Sequence, residues 1–180
     1  MNLKTPFSLL RPWEETDRES LVRSADNPRI AAFMRDGFPH PYSVADADRF
    51  IAMATGDHPN LFLTIEVHGE AVGGIGIHRL DDIYRHTAEI GYWLAETYWG
   101  RGIVSDAIRA LLPVAFDSYD LIRIQAGVFS NNPGSMRVLE KNGFSLEAVH
   151  KRAITKQGVT LNEYLYVRFR DDSDTAHLIP

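Results

Sequence analysis

The chain has 180 residues, 44% of them hydrophobic and 24% charged, which is enough apolar material for one globular domain and the wrong composition for a disordered or fibrous chain. It contains no cysteine, so disulfides, thiolate nucleophiles and cysteine-held metals are excluded together. With 19 Lys and Arg against 24 Asp and Glu the formal charge is −5, which argues against broad nucleic-acid binding and mildly favours a cationic small partner.

The predicted elements, taken along the chain, begin with a first strand over Phe7–Arg11, ended by Pro12. Short helices follow over Asp17–Ala25 and Pro28–Met34. Gly37 to Tyr42 holds a glycine, two prolines and two aromatics and reads as a loop. Ser43, with Asp46 three residues on, caps a helix running to about Ala54. Leu61–Val67 and Ala71–Arg79 flank a turn at His68-Gly69-Glu70 and read as an antiparallel hairpin. Thr87–Leu94 is the next strand. After a turn with Gly100 and Gly102 comes a helix over Ile103–Asp117, with Val104, Ile108, Leu111, Leu112 and Ala115 on one face and Pro113 inside it. Ile122–Val128 is strand. Asn132 and Pro133 open the next helix as cap and first position, and Gly143 closes it in the left-handed conformation. Phe144–Ile154 and Leu161–Phe169 are strands joined at Gln157-Gly158. Hairpin strands followed by strand, helix, strand, helix, strand, strand mean a mixed sheet in a single α/β domain spanning 1–180.

Met1 to Leu10 lacks the apolar core of a signal peptide, and no apolar run reaches bilayer-spanning length, so a cytoplasmic location without membrane attachment is expected. The seven histidines show no pair at metal-ligand spacing, and no metal is expected.

The segment Tyr98-Trp99-Gly100-Arg101-Gly102-Ile103 joins a strand to a helix. A helix start carries unpaired N–H groups and partial positive charge, and two glycines let a ligand approach the backbone; such a turn either cradles a pyrophosphate or is simply a tight connection. Two familiar phosphate loops fit poorly. Ile103-Val104 stand where a Walker-type loop needs Lys-Ser/Thr, and Ser105 stands where a dinucleotide fingerprint needs its third glycine.

The stretch from Ala88 to Ala107, AEIGYWLAETYWGRGIVSDA, resembles the acetyl-CoA-binding motif of the GNAT superfamily, and most closely its RimJ/RimL-type ribosomal-protein N-acetyltransferases. A second block, NNPGSMRVLEKNGF from Asn131 to Phe144, is similar to the next motif of that branch. The opening LLRPWEETD and the strand from Glu163 to Phe169 are similar in type. Two positions depart from the pattern. Thr97 replaces a common Gln or Arg, and Leu139 stands where many members have a tyrosine acid, which removes the commonest general-acid assignment.

The resemblance implies a mixed, mostly antiparallel sheet splayed open between Thr87–Leu94 and Ile122–Val128, with helices on both faces. Pantetheine would pair with backbone around Tyr92, Trp93 and Leu94. The pyrophosphate would rest on the amides of Gly100, Arg101, Gly102, Ile103, Val104 and Ser105. Arg101 is either a phosphate ligand or a solvated loop cation. Asn131 would touch pantetheine or cap the turn, and Asn132 is mainly a cap. A backbone N–H near Trp93 or Leu94 would face the oxyanion. Glu89 is the first candidate for the base, acting through water, or else a structural carboxylate; Glu163 is the second. Ser135 would protonate the leaving thiolate, or serve helix-start hydrogen bonding. Phe38, His40, Tyr42 and Trp93 would line the acceptor pocket, with core packing as the other role for the aromatics and simple solvation for His40. The implied partners are acetyl-CoA and an amine acceptor, with no nucleic acid, for a monomer or homodimer. The acceptor would be a peptide N-terminal α-amine. A small amine such as a polyamine, amino acid or aminoglycoside is the alternative, and a non-catalytic acyl-CoA-binding protein a further one.

Overall fold

A computed structural model describes residues 1–170. In chain order the elements are β1 (Leu3–Lys4), β2 (Leu9–Pro12), α1 (Arg18–Ala25), α2 (Pro28–Ala31), α3 (Val44–Thr55), β3 (Leu61–Val67), β4 (Glu70–Arg79), β5 (Thr87–Leu94), α4 (Ile103–Ser118), β6 (Arg123–Phe129), α5 (Pro133–Lys141), β7 (Ser145–Lys156) and β8 (Val159–Phe169). The strands follow the order β1-β2-β3-β4-β5-β6-β8-β7 in a mixed sheet. The β5–β6 pair is parallel, while β1–β2, β2–β3, β6–β8 and β7–β8 are antiparallel. The α/β class with a mixed sheet is as expected. Among the described residues no helix is long and apolar enough to cross a membrane.

The chain divides into two compact units. The first comprises Met1–Gly76 and Gly91–Ala110, and the second comprises Ile77–Ile90 and the described residues from Leu111 on. In the first unit Trp13, Leu21, Tyr42, Ala47, Ile51 and Ala71 form a buried cluster, against which Phe38, Phe50, Phe62 and Trp93 pack. Two elements differ from expectation. The Thr5 N–H donates to the Ser8 carbonyl at 2.9 Å and the Thr5 hydroxyl accepts from the Ser8 N–H at 2.9 Å, so residues 5–8 form a turn. Phe7 lies outside β2 and is exposed, and Leu3–Lys4 supplies an additional strand. The second helix stops at Ala31, because Phe33 and Met34 donate to carbonyls three residues back, winding the chain more tightly than an α-helix.

The start of α3 follows local chemistry closely. The Ser43 hydroxyl and N–H reach the Asp46 carboxylate at 2.5 and 2.8 Å, and the Asp46 N–H returns to the Ser43 hydroxyl at 3.2 Å. The Ser43 hydroxyl, then the Ser43 N–H, hold the Asp46 carboxyl below its ordinary value. A carboxyl whose pKa is depressed on folding stabilises the fold above its ordinary pKa, near 4, and loses that contribution as pH falls through the folded value. Asp46→Asn is therefore expected to lower the melting temperature at pH 7, and the gap to wild type is expected to close as pH falls below about 4. Thermal melts across this range check it; a gap unchanged at pH 2.5 (about the acid limit of such melts) would rule out the capping carboxylate as the cause.

In the second unit β6, β8 and β7 pair from Arg123↔Phe169 to Phe129↔Glu163 and from Ser145↔Val167 to Lys156↔Val159. The end of α5 is tied to β8: the Tyr166 hydroxyl donates to Glu140 at 2.9 Å and Arg168 donates to the Asn142 carbonyl at 2.6 Å. Burial, followed by the Glu140 bond, pushes the Tyr166 phenol up to about 12. Gly143 takes φ +77° after α5, as expected of a left-handed cap. The β7–β8 hairpin is longer than expected at its turn end, and Gln157 and Gly158 take φ +50° and +78°, the pair of left-handed residues that suits a two-residue hairpin turn. Pro113 stands inside α4, which nonetheless runs on to Ser118. Of the predicted apolar face, Ile108, Leu111, Leu112 and Ala115 are buried; Val104 is half-buried, and Ile103 and Ala107 join the buried set.

Candidate active site

The turn from Tyr98 to Ile103 lies wholly in the first unit. Gly100 and Gly102 take φ +74° and +81°, a conformation that costs most L-residues about 1–2 kcal/mol. The Gly102 carbonyl accepts from Asp106 at 3.0 Å, which makes Gly102 the cap and puts the N–H groups of Ile103, Val104 and Ser105 in the first turn, where a helix has no internal acceptors to offer. Ile103 and Ser105 are buried. The turn is braced to β5 by the Trp99 indole N–H, which donates to the Leu94 carbonyl at 2.7 Å.

Three residues that the sequence pattern does not single out complete the brace. Glu96 forms an ion pair with Arg29 and accepts from the Asn27 side chain at 2.8 Å, while the Arg29 guanidinium lies 5.4 Å from the Trp99 ring centre. More than sixty positions separate these partners, so no local pattern announces them. Arg101 is exposed and stacks on Tyr98 at 5.3 Å. Gly73 matters for the neighbouring strand segment: a Cβ there would stand 2.5 Å from the Trp93 carbonyl oxygen, so only glycine lets β4 lie this close to Trp93 and Leu94.

The same unit gathers Phe38, Tyr42 and Trp93, three of the predicted pocket residues. Phe38 meets Tyr42 at 5.2 Å and Trp93 at 5.6 Å between ring centres. Tyr42 is buried, and burial, then the Asp46 charge, pushes its phenol up to about 12, so the hydroxyl stays neutral at ordinary pH. His40 is exposed but has a neighbour: its Nδ1 is 3.3 Å from Asp26, whose other contact is the Tyr42 N–H at 2.8 Å. Asp26 was not predicted, and it anchors the predicted loop from both sides.

The second unit holds the remaining candidates. Glu89 lies half-buried on β5 between buried Ala88 and Ile90, and pairs with Gln125 at the last rung of the β5–β6 ladder, which runs only from Thr87↔Arg123 to Glu89↔Gln125. Asn131 is exposed just before α5. The Asn132 side chain accepts from the Ser135 N–H at 3.1 Å, the capping role expected of it, and Ser135 is half-buried in the first turn. Glu163, the second base candidate, accepts from or pairs with His150 Nδ1 at 2.8 Å.

Residues 8–145 match the family model described as an acetyltransferase (GNAT) domain. Over 91 residues the chain is 40% identical to a Bacillus subtilis protein called "Probable N-acetyltransferase YjcK", covering 51% of this chain and 48% of that one. Over 102 residues it is 37% identical to the ribosomal-protein-serine acetyltransferase of Escherichia coli, covering 57% and 56%. The matches thus span about half the length of these curated relatives. Among solved structures, Mycobacterium smegmatis RimJ in complex with CoA-disulfide superposes with a TM-score of 0.82 at 26% identity, covering 96% of this chain and 87% of that one.

Proposed function

The chain belongs to the GNAT acetyltransferase family, and from that premise we propose that it is an acetyl-CoA-dependent N-acetyltransferase whose acceptor is the α-amine of a protein or peptide N-terminus. The observation that carries the donor assignment is the turn with two left-handed glycines at the head of α4. Its first-turn N–H groups suit the pyrophosphate of acetyl-CoA, with the helix dipole adding positive potential. The similar RimJ carries a CoA-disulfide, which supports the same donor here. The relative named for ribosomal-protein serine supports a protein acceptor.

Acetyl-CoA supplies the thioester; the chain's residues position it and move protons. Backbone groups of Tyr92, Trp93 and Leu94 align the pantetheine, with Asn131 as a further contact, and an N–H at Trp93 or Leu94 stabilises the oxyanion. Glu89 takes the proton of the amine through water, and Ser135 gives one to the departing sulfur. Phe38, His40 and Tyr42 contact the acceptor.

Acid–base arithmetic favours an α-amine. Its pKa is about 8, so roughly a tenth is neutral at pH 7, whereas a lysine amine near 10.4 is neutral in only about one part in several thousand. A single carboxylate base matches the first task. The test is a competition between a lysine-free peptide with an open N-terminus and its N-blocked twin with one internal lysine, the acetyl group being located by mass spectrometry. Acetylation of the open N-terminus is expected to dominate; equal or faster acetylation of the lysine refutes the preference, and turnover on small amines alone moves the acceptor to that class.

Donor binding has its own check. In Gly102→Asp the new residue is strained at φ +81° and places a carboxylate where the phosphates belong. CoA affinity is expected to fall at least tenfold, on the order of 1.4 kcal/mol or more, in a protein that still melts cooperatively. Calorimetry returning wild-type affinity would remove the turn from the site.

A further inference from the structure

Three residues of the second unit form an arrangement that the roles above leave unused. Glu163 on β8 pairs across to Phe129 on β6 and to His150 on β7. Its carboxylate does not extend outward as an ordinary surface glutamate would. It lies over Gly127, where a Cβ would collide with the carboxylate oxygen Oε1 and stand 3.1 Å from Cδ. Oε2 is held by His150 Nδ1 at 2.8 Å; among the described residues the protein offers no hydrogen bond to Oε1. Arg123, on the same face but at the far end of the β6–β8 ladder from Glu163, is engaged by Glu147 at 2.7 and 2.8 Å.

The register says where this carboxylate faces. Directly paired residues share a sheet face, so Glu89, Gln125, Gly127, Glu163 and His150 project to one side. Tyr166 and Arg168, on the alternate positions of β8, project to the other side and there bind Glu140 and the end of α5. The helix that carries Ser135 therefore covers one face, while Gly127 and His150 lie exposed on the opposite one. Gly127 also sits two residues beyond Gln125, where the β5–β6 ladder has ended. A half-exposed carboxylate, clamped at one oxygen and laid flat on bare backbone, offers its second oxygen to a cationic donor.

We infer that Glu163, laid over Gly127 and clamped by His150, binds the protonated amine of the acceptor on the open face of this sheet. The inference rests on the acetyl-transfer reading above and deepens it: the acceptor is recognised as a cation by Glu163, with His150 as a positioning residue, before Glu89 on the same face takes its proton.

The experiment uses the full chain, a free N-terminal peptide that wild type acetylates, and the N,N-dimethylated form of that peptide, a cation that cannot be acetylated. Glu163→Gln is expected to raise the peptide KM and weaken inhibition by the dimethyl peptide by about tenfold to a hundredfold, the scale of a lost hydrogen bond to a charge, with CoA affinity unchanged. Gly127→Ala displaces the carboxylate without removing it and is expected to move the same two constants in the same direction. His150→Ala is expected to act likewise but more weakly. If Glu163→Gln and Gly127→Ala both keep wild-type KM and inhibition while wild type turns over, Glu163 is not the anchor and the acetyl-transfer reading stands. If Glu163→Gln fails to fold, Gly127→Ala decides alone. Wild type that acetylates no amine removes both readings.

Discussion

Ser135→Ala is expected to lower turnover by about 10²–10⁴-fold, the usual worth of a positioned proton donor, while CoA affinity stays near wild type. The Ser135 backbone N–H donates to the Asn132 side chain at 3.1 Å, which caps α5. Alanine keeps that N–H and its bond to the Asn132 cap, and loses the hydroxyl. Asn132→Ala is the complementary variant, since it removes the cap and leaves the hydroxyl, with a cost of about 1 kcal/mol in stability. Leu139 stands at the position where the sequence resemblance would put a tyrosine acid, and leucine has no proton to give there. Pre-steady-state measurement of thiol release distinguishes the outcomes. Full turnover by Ser135→Ala when chemistry limits the rate would leave the serine a structural residue only.

Arg11→Ala is expected to destabilise the first unit by about 3–5 kcal/mol, the cost of leaving a buried charge without its partner. Arg11 donates to both oxygens of Asp17 at 2.8 and 2.7 Å and to Glu66 at 2.5 Å, and the side chains of Arg11 and Asp17 are only 12% and 5% exposed. The Asp17 bonds are the largest cause raising the guanidinium above its ordinary value, so the cation persists at any working pH. Asp17 also accepts from the Glu14 N–H at 2.9 Å, which ties the network to the turn leading into α1. For a chain of this size the loss corresponds to a fall in melting temperature of about 10 °C. Adding Asp17→Asn to Arg11→Ala is expected to restore part of it, because the more buried of the two stranded carboxylates, Asp17 rather than Glu66, is then neutral. A melting temperature for Arg11→Ala within about 2 °C of wild type would show the network to be dispensable.

The elements legible in the sequence are those whose cause is local. Ser43 with Asp46, Asn132 before Pro133, Gly143 after α5 and the Gln157-Gly158 turn each act within a few residues, so the residue types alone prescribe the backbone. The glycine turn before α4 belongs to this class: Gly100 and Gly102 supply left-handed φ angles that other residues resist, and a helix start behind them needs only the apolar period of α4 to be recognised. At Phe7 the Thr5–Ser8 turn, and at the tail of α2 backbone bonds three residues back, compete with a regular element of similar local preference.

Only tertiary structure decided which distant side chains meet. Glu96 finds Arg29 and Asn27, Asp26 holds the His40–Tyr42 loop, and Glu163 lies on Gly127 beside His150, none of them within reach along the chain. A glycine in a strand can mean a weak position, a bulge or room for a partner, and sequence does not say which. At Gly127 the answer comes from the β6–β8 register, which sets Glu163 beside it; at Gly73 it comes from the carbonyl of Trp93. Register is fixed by burying one face of each strand against residues far away in the chain, so the family and the glycine turn were legible in the sequence, while the neighbours of Gly127 were decided by which strands lie side by side.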